Sequence, residues 1–218
     1  MDAVDVAGLL RTISKEGTWG WAHLRIWSQL RDFILSHETI YRRAPCFFDL
    51  TMIAHADMAA LALTKLLDDH PQAMGIGYLL SVVGHQTETL AALTLGRDPL
   101  FQVTAREIAA SVKKDKALLG QFRKQAEGIN TMRDKVIAHV DRGHATDPEK
   151  TAKLLEASKT SREVMDSLFT AIRDLVNWYE MIVEGAKYTW EVVNWNDFGS
   201  LTPLLHAGEL QEGGSGDS

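Results

Sequence analysis

Apolar residues recur at intervals of three and four along almost the whole of this 218-residue chain, and only five prolines interrupt them. That period builds one face of an α-helix, whereas a half-buried strand would alternate, so the chain is read as all-α, a helical bundle. The opening stretch divides into two helices, about Val4 to Lys15 and Trp19 to Ser36, the second with Trp19, Leu24, Trp27, Leu30, Phe33 and Ile34 on one broad side. Arg42 to Cys46 forms a connector around Pro45. A third helix carries Leu50, Ile53, Ala54, Leu61, Leu63, Leu66 and Leu67 and ends near Asp69 to Pro71, and a fourth covers Gly75 to Leu93. From Val103 a very long periodic segment runs through Ile108, Val112, Leu119, Phe122, Ala126, Ile129, Val136 and Val140, with Gly120 and Gly128 as points of bending or splitting. Asp147 and Pro148 then have the cap and first-position chemistry of another helix start, and its seam runs from Val164 to Ile182.

The organisation follows: a helical bundle over 1–187, an extended aromatic-rich C-terminal strap over 188–206, and a Gly/Ser tail over 207–218 that is flexible by composition. Twenty-three Lys and Arg against twenty-nine Asp and Glu give a formal charge of -6, which argues against a polybasic binder. A single cysteine, Cys46, excludes an internal disulfide and a cysteine zinc ribbon. The most apolar stretch, Phe47 to Leu67, is interrupted by Asp49, His55, Asp57 and Lys65, so no membrane span is expected. The acidic start MDAVDVAGLL does not resemble a secretory signal, and a cytoplasmic protein is the expectation. There is no GxxxxGK[ST] or GxGxxG loop and no GxSxG elbow, which argues against nucleotide hydrolysis and acyl hydrolysis.

The most informative stretch is Arg133-Asp134-Lys135-Val136-Ile137-Ala138-His139-Val140-Asp141. Twelve arginines, eight histidines and three allowed gaps produce about 1.3 accidental R-x(4 to 6)-H matches, and Arg31 to His37 is a second match, read as the decoy. Arg133 follows Ile129 by four residues and precedes Val136 by three, so it falls on the apolar stripe, where a cation must snorkel, pair or face a groove. His139 lies about 120° around an ideal helix from Arg133, so one copy does not present the two side by side. A two-fold dimer can bring them together.

The string RDKVIAHVD, late in an all-helical chain of this size, resembles the HEPN superfamily and in particular its abortive-infection AbiU-like branch, with the KLLD of Lys65 to Asp68 as a weaker echo. The resemblance implies a ribonuclease built on a helical bundle. It further implies a homodimer in which arginine and histidine motifs from two subunits line a shared cleft. On this chain Arg133 and His139 become the catalytic pair and Asp134 the polar residue after the arginine. RNA would be the substrate, with phage defence or a toxin-antitoxin system as the setting and a nucleotidyltransferase-like antitoxin as a compatible partner. The residue types suit that chemistry. An ordinary histidine titrates in the range where it can move the proton of a 2'-hydroxyl, the role given to His139, and Arg133 can offset charge on the phosphorane. No metal or other cofactor is called for, because the nucleophile lies within the substrate.

From Arg97 to Lys135 the chain has nine Lys or Arg against five Asp or Glu, a local +4. Lys113, Lys114, Lys116, Arg123, Lys124 and Lys135, with Arg97 and Arg106, are therefore candidate RNA-binding residues, or else a solvated helix face. A noncatalytic module that binds RNA or a partner protein remains the competing reading. His139, Asp141 and His144 form no recognised metal site. His55 with Asp57 reads as a satisfied buried histidine, and Trp190, Trp195 and Phe198 read as packing for the tail rather than a stacking platform for bases.

Overall fold

A computed structural model describes residues 5–70, 72–97, 101–137, 148–188 and 190, with side chains for all of these except 127, 128, 130–137 and 148–161. Among the described residues there are seven helices and no strand, the all-α bundle that the periodicity predicts. Helix α1 (Val6–Ser36) begins at Asp5, whose carboxylate accepts the Gly8 amide hydrogen at 3.0 Å and satisfies one of the free donors of the first turn. It then runs 31 residues without the break expected between Lys15 and Trp19. Gly17 and Gly20 lie inside it, and both are buried where a neighbour leaves no room for a Cβ: Trp190 covers Gly17, while Ala62 and Phe169 cover Gly20. Close packing, not chain reversal, accounts for both glycines.

Helix α2 (Glu38–Arg43) takes in Arg42 and Arg43 of the expected connector, and Pro45 opens α3 (Pro45–Leu67) at a position where its missing N–H has no partner to lose. The expected fourth helix is two: α4 (Ile76–His85) ends where the Gln86 amide turns back to the Val83 carbonyl, and α5 (Thr87–Leu95) leaves in a new direction. That turn lets α4 lie on α6 while α5 touches both α6 and α7. Helix α6 (Ala105–Ile137) is continuous through Gly120 and Gly128. Gly120 faces open space, so it lowers helix propensity there without bending the axis. Helix α7 (Pro148–Glu184) starts at the expected proline; its proposed cap Asp147 lies outside the described residues.

Helix α1 is central. Glu16 with Lys65 (2.9 Å), His23 with His55 and Phe33 with Phe48 set α3 antiparallel along one side of it. Arg11 with Glu184 (3.1 Å), Trp21 with Phe169 and Arg162 with Ser28 (3.1 Å) set α7 antiparallel along the other. Asp115 accepts the Tyr179 hydroxyl at 2.7 Å and joins α6 to α7. One large core joins α1 and α3 through α7, and a small one gathers Leu30, Phe33 and Phe48. Trp19, assigned by the pattern to the apolar side of its helix with Leu24, Trp27, Leu30 and Phe33, is 57% exposed, whereas those four are buried.

At the end of α7, Gly185 takes a positive φ of 72°, and the Arg97 guanidinium donates to the Ile182 and Val183 carbonyls that the helix leaves open. The Ser14 hydroxyl donates to Glu180, which also accepts the Tyr188 amide, so the chain beyond α7 is tied back onto α1. Trp190 is 2% exposed, in keeping with packing; Trp195, Phe198 and the tail 207–218 lie outside the described residues.

Candidate functional site

Helix α6 is built to a standard N-terminal pattern: the Thr104 hydroxyl accepts the Glu107 amide at 3.2 Å while the Glu107 carboxylate accepts the Thr104 amide at 2.8 Å. Those bonds hold the Glu107 carboxyl below its usual range. From this start the helix carries Arg133, Asp134 and Lys135 in its last two turns, where the backbone alone is described. His139 lies two residues past the helix end, outside the described residues, as do Asp141 and His144. The helix backbone still fixes the register of Arg133, four residues after Ile129 and seven after Ala126, both buried.

The other candidates separate into two groups. Arg106, Lys113, Lys114, Lys116 and Lys124 are exposed. At 100° per residue the positions of Arg106, Lys113, Lys124 and Lys135 fall within about 40° of one another, a single basic line along α6 that ends at Lys135, whereas Arg133 falls about 180° around the helix from Lys124. Asp115, in the middle of the Lys113 to Lys116 run, does not neutralise that line, because it points inward, 9% exposed, to the Tyr179 hydroxyl. Burial raises its carboxyl above the usual range. Arg123 and Arg97 are engaged elsewhere. Arg123 is half-buried, donates Nε to the Leu67 carbonyl at 2.8 Å and stands 3.8 Å from Asp69, which closes the end of α3, and Arg97 closes the end of α7.

The second R-x5-H match lies at the α1–α2 junction. His37 stacks on Phe33 with ring centroids 4.4 Å apart, and its Nδ1 lies 3.1 Å from the Phe33 carbonyl, so the ring helps to end α1.

Two further clusters have no motif signature. A cleft of about 340 Å³ between α1 and α7 is lined by Leu24, Arg25, Ser28, Arg162, Glu163, Asp166 and Ser167. Its cations are balanced, since Arg25 stands 3.8 Å from Asp166 and Arg162 stands 3.6 Å from Asp32. On the opposite side of α1, His23 and His55 bring Nδ1 atoms within 2.7 Å, so the partner of half-buried His55 is a second histidine. Only the three-dimensional register of α1 against α3 reveals this pair. Burial lowers the pKa of His23; burial, then the neighbouring His23, lowers that of His55. A depressed histidine pKa contributes stability that is fully present above about 6.5, the unfolded value, and is lost as pH falls, because the unfolded chain binds more protons. The urea midpoint is therefore expected to drop between about pH 7 and pH 5, with a shallower drop in His55→Gln. An unchanged slope in that variant would assign the pH dependence to other groups.

Among the described residues no group of three or more His, Cys, Asp or Glu is placed to hold a metal ion. One described helix, α3, is long and apolar enough by length and composition to cross a membrane. It is nonetheless bound into the bundle through His55, Lys65 and Asp49, the last of which accepts the Tyr41 hydroxyl at 3.1 Å. In comparison with protein families, residues 4–198 match the model HEPN_AbiU2, described as AbiU2. Neither the curated proteins nor the solved structures contain a match.

Proposed function

The chain belongs to the HEPN_AbiU2 family, whose HEPN-type domains are those of abortive infection, and on that premise we propose that it is a metal-independent endoribonuclease acting as a cytoplasmic homodimer. The observation that carries the reading is the one helix α6, which combines a line of exposed cations with Arg133, Asp134 and Lys135 at its far end, within the span of the family match. RNA laid along that line meets Lys113 and Lys124 with its phosphates, while Arg133, on the other side of the same helix, is assigned to the cleft between the two subunits.

In the proposed reaction the RNA 2'-hydroxyl attacks the adjacent 3'-phosphorus as His139 takes its proton. The P–O5' bond breaks, the leaving 5'-oxygen takes a proton from water as His139 gives its own back to solvent, and the products are a 2',3'-cyclic phosphate and a 5'-hydroxyl. Arg133 contacts two phosphate oxygens with its fork and stays charged at any working pH. Asp134 is assigned to the same cleft as the polar neighbour of the arginine. The setting proposed is phage defence or toxin-antitoxin control, with a nucleotidyltransferase-like antitoxin as the regulatory partner.

Incubation of the purified protein with mixed RNA in EDTA tests this directly. The expected result is cleavage with 2',3'-cyclic phosphate and 5'-hydroxyl ends. Binding of RNA without any cleaved product would favour a noncatalytic module instead.

A further inference from the structure

Helix α3 has two apolar faces. Phe48, Ala59, Ala62, Leu63 and Leu66 are buried within the bundle, yet only 28% of the helix's most apolar 18-residue window is buried. The rest shows why. Phe47, Leu50, Met58 and Leu61 are 62%, 67%, 45% and 40% exposed, and Ala54 between them is exposed as well. At 100° per residue these five positions fall within about 80°, a stripe about 21 Å long on the solvent side of the helix. Scattered exposed apolar residues are ordinary, but a contiguous stripe marks a contact surface.

The order of the stripe identifies its occupant. The steps between its members are three, four, four and three, symmetrical about Ala54. If α3 meets a second α3 antiparallel across a two-fold axis at Ala54, then Phe47 faces Leu61, Leu50 faces Met58, and Ala54 faces its own copy. A two-fold interface demands this self-complementarity, and a small residue on the axis allows helices to approach to about 8 Å. At the ends, Lys65 is already paired with Glu16 and Arg42 with Glu38. Exposed Trp19 stands on α1 near the stripe, since its ring lies beside His23, which contacts His55, the residue next to Ala54. With Trp19 included, the exposed apolar surface is on the order of 500 Å² per copy, about 1,000 Å² for two, where specific interfaces begin.

We propose that α3 pairs antiparallel with α3 of a second copy of this chain across a two-fold axis at Ala54. This names the face of the homodimer proposed above, and so rests on that part of the functional reading.

The test uses the axis. In a Cys46→Ser background, which removes the one exposed thiol, Ala54→Cys is expected to form a disulfide with its own copy under mild oxidation. Ala54→Arg sets two guanidinium groups against each other and is expected to weaken self-association at least tenfold by sedimentation. Both substitutions fall on an exposed helical position, and far-UV circular dichroism checks that each variant is folded. A wild-type dimer with Ala54→Arg still dimeric and Ala54→Cys not crosslinked would overturn the α3 face while leaving a homodimer through another surface. A wild type that is monomeric at every concentration would overturn both the face and the homodimer, and so would one that instead floats with phospholipid vesicles through this stripe. The RNA end analysis reports on catalysis separately from any of these outcomes.

Discussion

His139→Ala is expected to reduce RNA cleavage by about 10² to 10⁴-fold, the range that a positioned acid-base group contributes, while leaving the fold intact. Arg133→Ala is expected to lose about 10² to 10³-fold through the transition-state charge it no longer offsets, and Arg133→Lys to recover only part, because a point charge replaces a two-pronged fork. His37→Ala serves as the control. Its ring is engaged with Phe33 at the end of α1, so its loss touches stability and not rate. Single-turnover rates with circular dichroism on each variant decide the matter, and a folded, fully active His139→Ala would sink the assignment.

The same pair of variants also tests the shared cleft. The proposal joins Arg133 of one subunit to His139 of its partner, the arrangement that the family resemblance implies. Mixing inactive Arg133→Ala with inactive His139→Ala then produces heterodimers with one site intact. Random exchange makes about half the dimers mixed, each with one of two sites, so about a quarter of wild-type activity is expected to return. Were both groups supplied by one subunit, the mixed dimer would hold no complete site and the mixture would stay inactive.

The helices were legible where one physical signal dominated. The three-and-four spacing predicts α6 and α7, and Pro148 predicts the start of α7, because period and proline geometry act locally. The continuity of α1 through Gly17 was not legible, since the glycine there serves a tertiary contact with Trp190 that propensity cannot see. The same holds for Leu50 and Leu61. Their spacing makes them look like core, but the bundle covers only the other side of α3, and periodicity alone does not say which of two apolar faces meets the body of the protein. The candidate site was legible as a string, Arg133 to Asp141. What the fold added was the continuity of α6, which puts Lys113, Lys124 and Lys135 in line, and the removal of Arg97 and Arg123 to the ends of α7 and α3. The His23–His55 contact carried no sequence signal, as its members are 32 residues apart.

Gly17 offers the sharpest test of the packing argument, through a reversal of sign. In the wild type a Cβ at this position falls on the Trp190 ring, a rigid group only 2% exposed, so neither partner can yield without uncovering the other. Gly17→Ala is therefore expected to cost about 2 kcal/mol even though alanine is the better helix former by about 1 kcal/mol. Trp190→Ala is expected to cost about 3 to 5 kcal/mol through the cavity it opens beside α1. With the ring gone, the clash goes with it and only the propensity remains, so adding Gly17→Ala to Trp190→Ala is expected to restore about 1 kcal/mol. Gly120→Ala, which meets nothing within 4 Å, provides the reference for that bare propensity and is expected to raise stability by up to about 1 kcal/mol in either background. At about 2 to 4 °C per kcal/mol for a chain of this size, all four differences are readable as shifts in Tm. If Gly17→Ala remained destabilising by the same amount after Trp190 was removed, the glycine would answer to some contact other than the indole, and the account of why α1 runs unbroken through it would fail.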